Sequence, residues 1–368
     1  GTMLQYREQV HPATYFGKGK LEELRILVEA NGATGVVCDD ELTADQYHNL
    51  SAILNTKIMD RTLVILDIFA GRAVTREGKI QVELAQLKYR AARLVGMRDS
   101  LSRLGGGIGT RGPGETKLET DRRVIHSRIS TLKKELEEVR CHRDVNRSRR
   151  IQSKIPVIAI VGYTNAGKST LLNALTGSEI LAEDRLFATL DPTTRSLVLP
   201  TGEEVLMTDT VGFIRKLPHH LVEAFRSTLE EARYADIILH VADSSSPRLA
   251  QQMEVVYRTL RDLEIGDKPV VTVFNKTDKM GPHPIRRDKH AEDVLEISAK
   301  TGSGLEDLQI VLANILRERS VPVERLFSYA EAGRVQYLRR YGHLTTEEYR
   351  DDGIYVTGYI PVQWYGKL

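Results

Sequence analysis

Apolar positions in the first sixty residues switch between helical and strand-like spacing. Leu21, Leu24, Leu27 and Val28 share one face of a helix in "KLEELRILVEANG", which stops at Asn31-Gly32. "TGVVCD" (34–39) and "TKIMD" (56–60) read as short strands, and "TADQYHNLSAIL" (43–54) between them as a helix. The pattern predicts a small βαβ-type subdomain that opens in mid-fold, with "GKGK" (17–20) as a turn. Gly1 is no natural initiator, so "GTM" reads as a tag remnant and residues 1–2 are set aside. From Arg61 to Ser100 the spacing is helical. Ile80, Leu84, Leu87, Ala91 and Leu94 recur every three or four residues, and Ile125, Ile129, Leu132, Leu136 and Val139 repeat the stripe. Two such stripes predict an antiparallel helical hairpin; the competing arrangement packs each helix on another domain. Residues 140–154, "RCHRDVNRSRRIQSK", are basic and poor in apolar side chains, and read as a linker.

The pattern then changes. "IPVIAIVG", "EEVLMTDTVG", "DIILHVADSSS", "KPVVTVFNKTD" and "DVLEISAKTG" are apolar runs ending in polar or glycine residues, most of them separated by helical stretches. This predicts a doubly wound, mostly parallel sheet with its site at the strand carboxyl ends. "TRSLVLPTGEEVLMTD" adds an antiparallel hairpin turning at Thr201-Gly202. The tail reads as a helix, "AEAGRVQYLRRYG", and a strand, "GIYVTGYIPV".

Length and composition narrow the class. At 368 residues the chain needs two or three domains. Its 28% charged and 41% apolar residues are those of a globular protein. A net charge of +2 leaves nucleic-acid binding to local basic patches. Cys38 and Cys141 are too few for a disulfide framework or zinc site and fit a reduced, cytoplasmic setting. No apolar run approaches the ~20 residues of a membrane span, no secretory signal is present, and nothing demands more than a monomer.

"GYTNAGKS" fits G-x-x-x-x-G-K-[ST] between a strand and a helix. Gly162, Tyr163, Thr164, Asn165, Ala166 and Gly167 would curl backbone N–H groups around phosphates at the helix start, with Thr170 in its first turn. Lys168 is a point charge for the β- and γ-phosphates, and Ser169 offers a hydroxyl to Mg2+. In "DTVG", Asp209 would hold a Mg2+-bound water and the Gly212 N–H would reach the γ-phosphate, with Thr210 and Val211 between. In "NKTD", Asn275 braces the loop, Lys276 and Thr277 follow, and Asp278 accepts from guanine N1–H and the 2-amino group. Adenine would leave that carboxylate unpaired, which gives the base discrimination. In "SAK", Ser298, Ala299 and Lys300, the Ala299 N–H would face guanine O6. Four elements in this order, each at a strand end, read as a Mg2+-dependent GTP site, with GDP as product. The loop "DRLFATLDPTTRS" should supply a threonine that senses the γ-phosphate through Mg2+; Thr189, Thr193 and Thr194 qualify by position.

The fold class expected is therefore α/β. A small N-terminal α/β subdomain (3–75) precedes a helical hairpin with a glycine-rich loop and basic linker (76–150). A P-loop GTPase domain (151–320) and a small C-terminal α+β domain (321–368) follow.

"LSRLGGGIGTRGPGETKLETDRR" (101–123) holds six glycines between Gly105 and Gly114. It lacks a preceding apolar strand and a G-K-[ST] ending, so it fails as a second nucleotide site. A tip without bulky side chains can enter an RNA cavity, with Arg103, Arg111, Lys117, Arg122 and Arg123 supplying charge around Gly105, Gly106, Gly107 and Gly112. A flexible hinge is the other reading, although Pro113 restrains its own backbone and that of Gly112.

"GYTNAGKSTLLNALT", "LFATLDPTTR", "DTVGFI" and above all "GGGIGTRGPGETKLE" resemble the HflX family within the Obg–HflX group of translation-associated GTPases. The resemblance runs from about residue 14 to about 320 and covers the tail less surely. It favours Thr189 as the sensing threonine, in a loop of Phe187, Ala188, Thr189, Leu190 and Asp191; Ala188 departs from the fuller group pattern. It implies a GTPase acting on the large ribosomal subunit, in several members separating stalled or idle ribosomes, with the glycine-rich loop against ribosomal RNA near the peptidyl-transferase region. Some members are described as accepting ATP too, and members usually carry more residues before "GKGK". Lys168, Thr189 and Gly212 are then the residues expected to carry hydrolysis. Phe213 stands where many small GTPases have a water-orienting glutamine, so slow turnover without a partner is expected; Arg215 is a weak candidate for an arginine finger. Two other functions fit the motifs: a GTP-gated module acting on a protein or membrane partner, and an RNA remodeller driven by ATP and GTP.

Overall fold

The computed structural model of the chain describes residues 1–6, 8–104, 113–153, 155–177, 192–215, 231–265, 268–281, 286–366 and 368; within these, side chains of 95–104, 113–118, 140, 142–153, 361 and 363 are not described. The chain divides into two compact units, one mainly Gly1–Arg140, the other mainly Cys141–Arg215 and Ser227–Leu368.

In the first unit α1 (Lys18–Ala30), β1 (Gly35–Cys38), α2 (Ala44–Leu54) and β2 (Lys57–Asp60) form the expected βαβ arrangement. The two strands are parallel, with Gly35 opposite Lys57 and Cys38 opposite Asp60. Leu21, Leu24, Leu50, Leu54 and Ile58 close the core. The "GKGK" turn is a correction: Gly17 caps α1, and residues 18–20 are already its first turn. The helical stretch 61–100 is two helices, α3 (Arg61–Arg72) and α4 (Arg76–Leu104). Thr75 restarts the chain between them, its hydroxyl accepting from the Gly78 N–H at 3.0 Å.

α4 and α5 (Pro113–Ser153) share a seam of Ile80, Leu84, Ile129, Leu132 and Leu136, flanked by Leu87, Ala91, Ile125 and Val139. This is the hairpin expected from the two stripes, and Glu83–Arg128 bridges it at 2.8 Å. Residues 141–153, expected as a linker, continue α5. No glycine or proline interrupts 115–153, so nothing stops the helix until Pro156 restricts the residue before it. The root of α4 is fixed by Asp60, which is fully buried. Its carboxylate accepts from Leu42 N at 3.1 Å, Leu63 N at 2.9 Å, Tyr89 O–H at 2.7 Å and Arg93 Nη2 at 2.6 Å.

The second unit holds a six-stranded sheet in the order β4-β5-β3-β6-β7-β8. These are β3 (Val157–Gly162), β4 (Thr193–Val198), β5 (Glu204–Asp209), β6 (Ile237–Asp243), β7 (Val270–Asn275) and β8 (Asp293–Glu296). All neighbours are parallel except β4–β5. α6 (Lys168–Thr176) and α8 (Leu305–Glu318) contribute to the core around Ile158, Ile160, Leu239 and Val273, and α7 (Leu249–Asp262) to that around Ala159, Val161 and Ile238. Every expected strand end therefore converges on one edge of the sheet.

The tail holds more than a helix and a strand. β9 (Ser320–Phe327), β10 (His343–Arg350) and β11 (Gly353–Pro361) form an antiparallel sheet ordered β10-β11-β9, with α9 (Ala332–Tyr341) on one face and α10 (Val362–Tyr365) at the end. Val335 and Leu338 of α9 pack on Phe327, Val356 and Ile360. β9 and β10 are the edge strands. β9 buries only Val323 and Phe327 and β10 no residue fully, so neither shows the alternation that marks a strand.

Candidate functional site

β3 leads straight into the phosphate loop, and α6 begins at Lys168. The turn between them depends on close approach. Gly167 has φ of 95°, and a Cβ there would lie 2.3 Å from Asn275 Nδ2. On the opposite wall, a Cβ on Gly212 would meet Thr164 Cα at 2.8 Å and Lys168 Nζ at 3.0 Å. A side chain at either position would displace the loop.

The root of the "DTVG" segment is stitched to the phosphate loop. Thr164 N donates to Phe213 O at 2.8 Å and Phe213 N to Gly162 O at 3.0 Å. Arg215 N also donates to the Tyr163 hydroxyl at 3.2 Å. Thr210 Oγ1 donates to Ile160 O at 2.7 Å, and Val211 is buried. The Phe213 ring lies in the core with Val161, Ala235 and Ile238. It is a packing residue and cannot orient water.

Lys168 is buried, with Nζ 3.2 Å from Tyr163 O. Burial pushes its amine below the usual lysine range, and the Asp209 carboxylate acts against that shift. Ser169 Oγ donates to Asp209 Oδ2 at 2.6 Å, with Asp209 almost wholly buried. A hydroxyl and a carboxylate this close are hard oxygen donors of the kind Mg2+ takes. Among the described residues no group of three or more His, Cys, Asp or Glu is placed to hold a metal ion by itself. A cation here would draw its other ligands from phosphate and water, which is how Mg2+ is usually held.

The residues expected to recognise the base converge as well. Asn275 is 2% exposed; its Nδ2 donates to Ala166 O and its Oδ1 accepts from Ala299 N, both at 2.9 Å. It locks the phosphate loop to the "SAK" loop. The Ala299 N–H, expected to face guanine O6, donates to Asn275 in this structure. Asp278 is exposed, and the Ser298 hydroxyl donates to its Oδ1 at 2.7 Å and holds the carboxyl below the usual range. Each carboxylate oxygen has two lone pairs, so acceptor capacity remains on both. Thr277 N donates to Ile297 O at 3.2 Å, joining the two loops again. Lys300 is exposed and Thr170 half-buried.

Asp243 is a residue the motifs missed. Lys276 Nζ donates to Asp243 Oδ2 at 2.9 Å and to Asn165 O at 2.7 Å. Burial alone would raise the Asp243 pKa, but hydrogen bonds from Lys276 and Ser245 hold it below the usual range. "VADSS" at the end of β6 was the available signal, but only the fold brings it to Lys276.

Of the three candidate threonines, Thr193 pairs with Asp209 in the sheet, and Thr194 Oγ1 lies 3.0 Å from Thr208 Oγ1. Both belong to β4. Phe187, Ala188, Thr189, Leu190 and Asp191 lie outside the described residues, as do Gly105, Gly106, Gly107, Arg111 and Gly112. Arg103 and Lys117 lie in α4 and α5 with undescribed side chains, whereas Arg122 and Arg123 are exposed on α5. Among the described residues no helix is long and apolar enough to cross a membrane.

Three family models match successive parts of the chain. The GTP-binding GTPase N-terminal family matches residues 1–70, the GTP-binding GTPase middle region 72–150, and the 50S ribosome-binding GTPase family 157–276. A Lacrimispora saccharolytica protein named GTPase HflX is 62% identical over 366 residues, 100% of this chain and 86% of its own. Its namesake from Caldanaerobacter subterraneus is 52% identical, over 97% of this chain and 82% of its own. A crystal structure of a GTP-binding protein from Sulfolobus solfataricus with GDP is 26% identical, covers 84% of this chain and 88% of that one, and has a TM-score of 0.45.

Proposed function

The chain belongs to the HflX family of GTPases, and from that premise we propose that it binds the large ribosomal subunit in its GTP form and splits or rescues ribosomes under stress. The hairpin is the observation that carries this reading. Apolar side chains from both helices meet in the seam between α4 and α5, while Arg122 and Arg123 stand exposed on α5. A helical hairpin with exposed arginines and a glycine-rich sequence between its helices suits entry into folded RNA. In this reading Arg103, Arg111, Lys117, Arg122 and Arg123, with Gly105, Gly106, Gly107 and Gly112, contact ribosomal RNA. Segments 3–75, 76–150, 151–320 and 321–368 act as four domains, and the protein works as a cytoplasmic monomer.

The chain hydrolyses GTP to GDP and phosphate. The guanine lies between Asn275–Asp278 and Ser298–Lys300, and the phosphates lie along Gly162–Ser169. Ser169, Thr189 and Asp209 would hold Mg2+, directly or through water, and the ion would supply charge neutralisation on the phosphate oxygens. Lys168 and the loop N–H groups stabilise charge on the transferring phosphoryl group, and Gly212 offers its N–H to it. With Phe213 turned into the core, the residue directly after "DTVG" does not orient water. Turnover is accordingly slow alone, and the ribosome accelerates it by ordering the loops around Thr189 and after Gly212.

Charge reversal tests the RNA contact. Arg122→Glu with Arg123→Glu should weaken large-subunit binding and flatten its dependence on salt, with GTP affinity unchanged. Unaltered binding and salt slope would sink the hairpin assignment.

A further inference from the structure

Residues 286–290 connect the base-recognition loop to β8, and two side chains fasten them to the sheet. Arg286 Nη1 donates to Ser244 O at 3.0 Å, with its guanidinium 5.7 Å from the centre of the Phe274 ring. The Ser244 N–H in turn donates to Asn275 O at 2.9 Å. One residue thus separates Arg286 from the backbone of Asn275.

The second fastening is Asp288, whose side chain is 3% exposed. Its Oδ2 accepts from Thr272 Oγ1 at 2.7 Å and from the Tyr257 hydroxyl at 2.5 Å, and lies 3.9 Å from His240 Nδ1. Its Oδ1 accepts from His290 N at 3.0 Å. Thr272 is on β7, the strand that ends at Asn275, and His240 lies opposite it on β6. Burial pushes the His240 imidazole below its ordinary range even though Asp288 acts to raise it. Hydrogen bonds nonetheless hold the Asp288 carboxyl far below the usual range against the effect of burial. A buried carboxylate held by neutral donors is a costly way to attach a loop. An apolar side chain would attach it without that cost but would not fix its direction.

We infer that Arg286 and Asp288 are positioning residues for guanine binding: together they brace β6 and β7, Arg286 just past the end of β6 and Asp288 midway along both strands, so that Asn275 and Asp278 meet the base in a fixed geometry. The inference rests on the base lying at Asn275–Asp278. Neither residue belongs to the four nucleotide motifs, and neither hydrogen-bonds to the Asp278 or Asn275 side chain.

The test uses the full chain with Arg286→Ala, Arg286→Lys and Asp288→Asn, and Asp278→Asn as a control. Fluorescent GDP and GTP analogues give Kd, steady-state assays give KM and kcat, and thermal unfolding reports the fold. Arg286→Ala should raise Kd and KM about tenfold, the loss expected for one charge-assisted hydrogen bond, with kcat nearly unchanged. Arg286→Lys should recover part of the loss, and Asp288→Asn should shift Kd in the same direction. Asp278→Asn should weaken guanine nucleotides and admit xanthosine nucleotides, which marks the base site independently. If Asp278→Asn switches the base while Arg286→Ala leaves Kd and KM unchanged, the brace is wrong and the base site stands. If Asp278→Asn leaves guanine binding intact, the base assignment itself is wrong. Should Asp288→Asn lose the fold, the half-buried Arg286 decides alone.

Discussion

Replacing Asn275 with alanine removes two buried hydrogen bonds at once. The Nδ2 bond to Ala166 O and the Oδ1 bond from Ala299 N are each 2.9 Å, and the side chain is 2% exposed. Leaving a buried polar group unpaired costs about 1–3 kcal/mol. Both orphaned groups are backbone atoms of loops at the strand ends, where water can partly re-pair them, so the low end applies. Two losses of about 1 kcal/mol correspond to a GDP Kd raised roughly thirtyfold. Asn275→Asp should be worse, because it keeps the acceptor for Ala299 N–H but sets a carboxylate oxygen against the Ala166 carbonyl. Titration with fluorescent GDP, alongside thermal unfolding with and without GDP, separates lost affinity from lost fold. A folded Asn275→Ala protein with GDP affinity within about twofold of the parent would refute the reasoning that this side chain couples the two loops.

Two other substitutions probe separate parts of the account. Phe213→Gln should not speed single-turnover hydrolysis, because position 213 points into the core; it should instead destabilise the fold by about 1–3 kcal/mol through an unpaired buried amide, and faster hydrolysis would overturn that placement. Asp60→Ala strands the Arg93 guanidinium and removes the α3 cap, so the first unit should lose about 3–5 kcal/mol in urea unfolding; a change below about 1 kcal/mol would show that the Asp60 hub does not hold α4.

The loop from Gly162 to Ser169 was legible because the phosphate contact proposed for it dictates spacing. Such a contact would need Gly162, Gly167, Lys168 and Ser169 in one fixed run, and local sequence records that pattern. The hairpin was legible for a different reason: Leu132 and its neighbours must recur at helical spacing to fill one seam. Asn275 reaching Ala166, Asp243 reaching Lys276, and Asp288 reaching His240 and Thr272 are contacts between segments far apart in the chain, set by the order of the sheet rather than by local pattern. The helix through 141–153 was hidden because its residues lack apolar periodicity, although nothing in them breaks a helix. β9 and β10 were hidden as edge strands that bury little of either face. Thr193 and Thr194 looked like switch residues by position alone, and the register of β4 against β5 gives both a place in the sheet.

Co-sedimentation with purified large ribosomal subunits, run with a non-hydrolysable GTP analogue and again with GDP, bears most directly on a GTP-dependent ribosomal partner. Retention in the analogue and release in GDP is the expected result. Equal pelleting in both nucleotides, or none in either, would contradict the ribosomal switch while leaving the GTPase site intact.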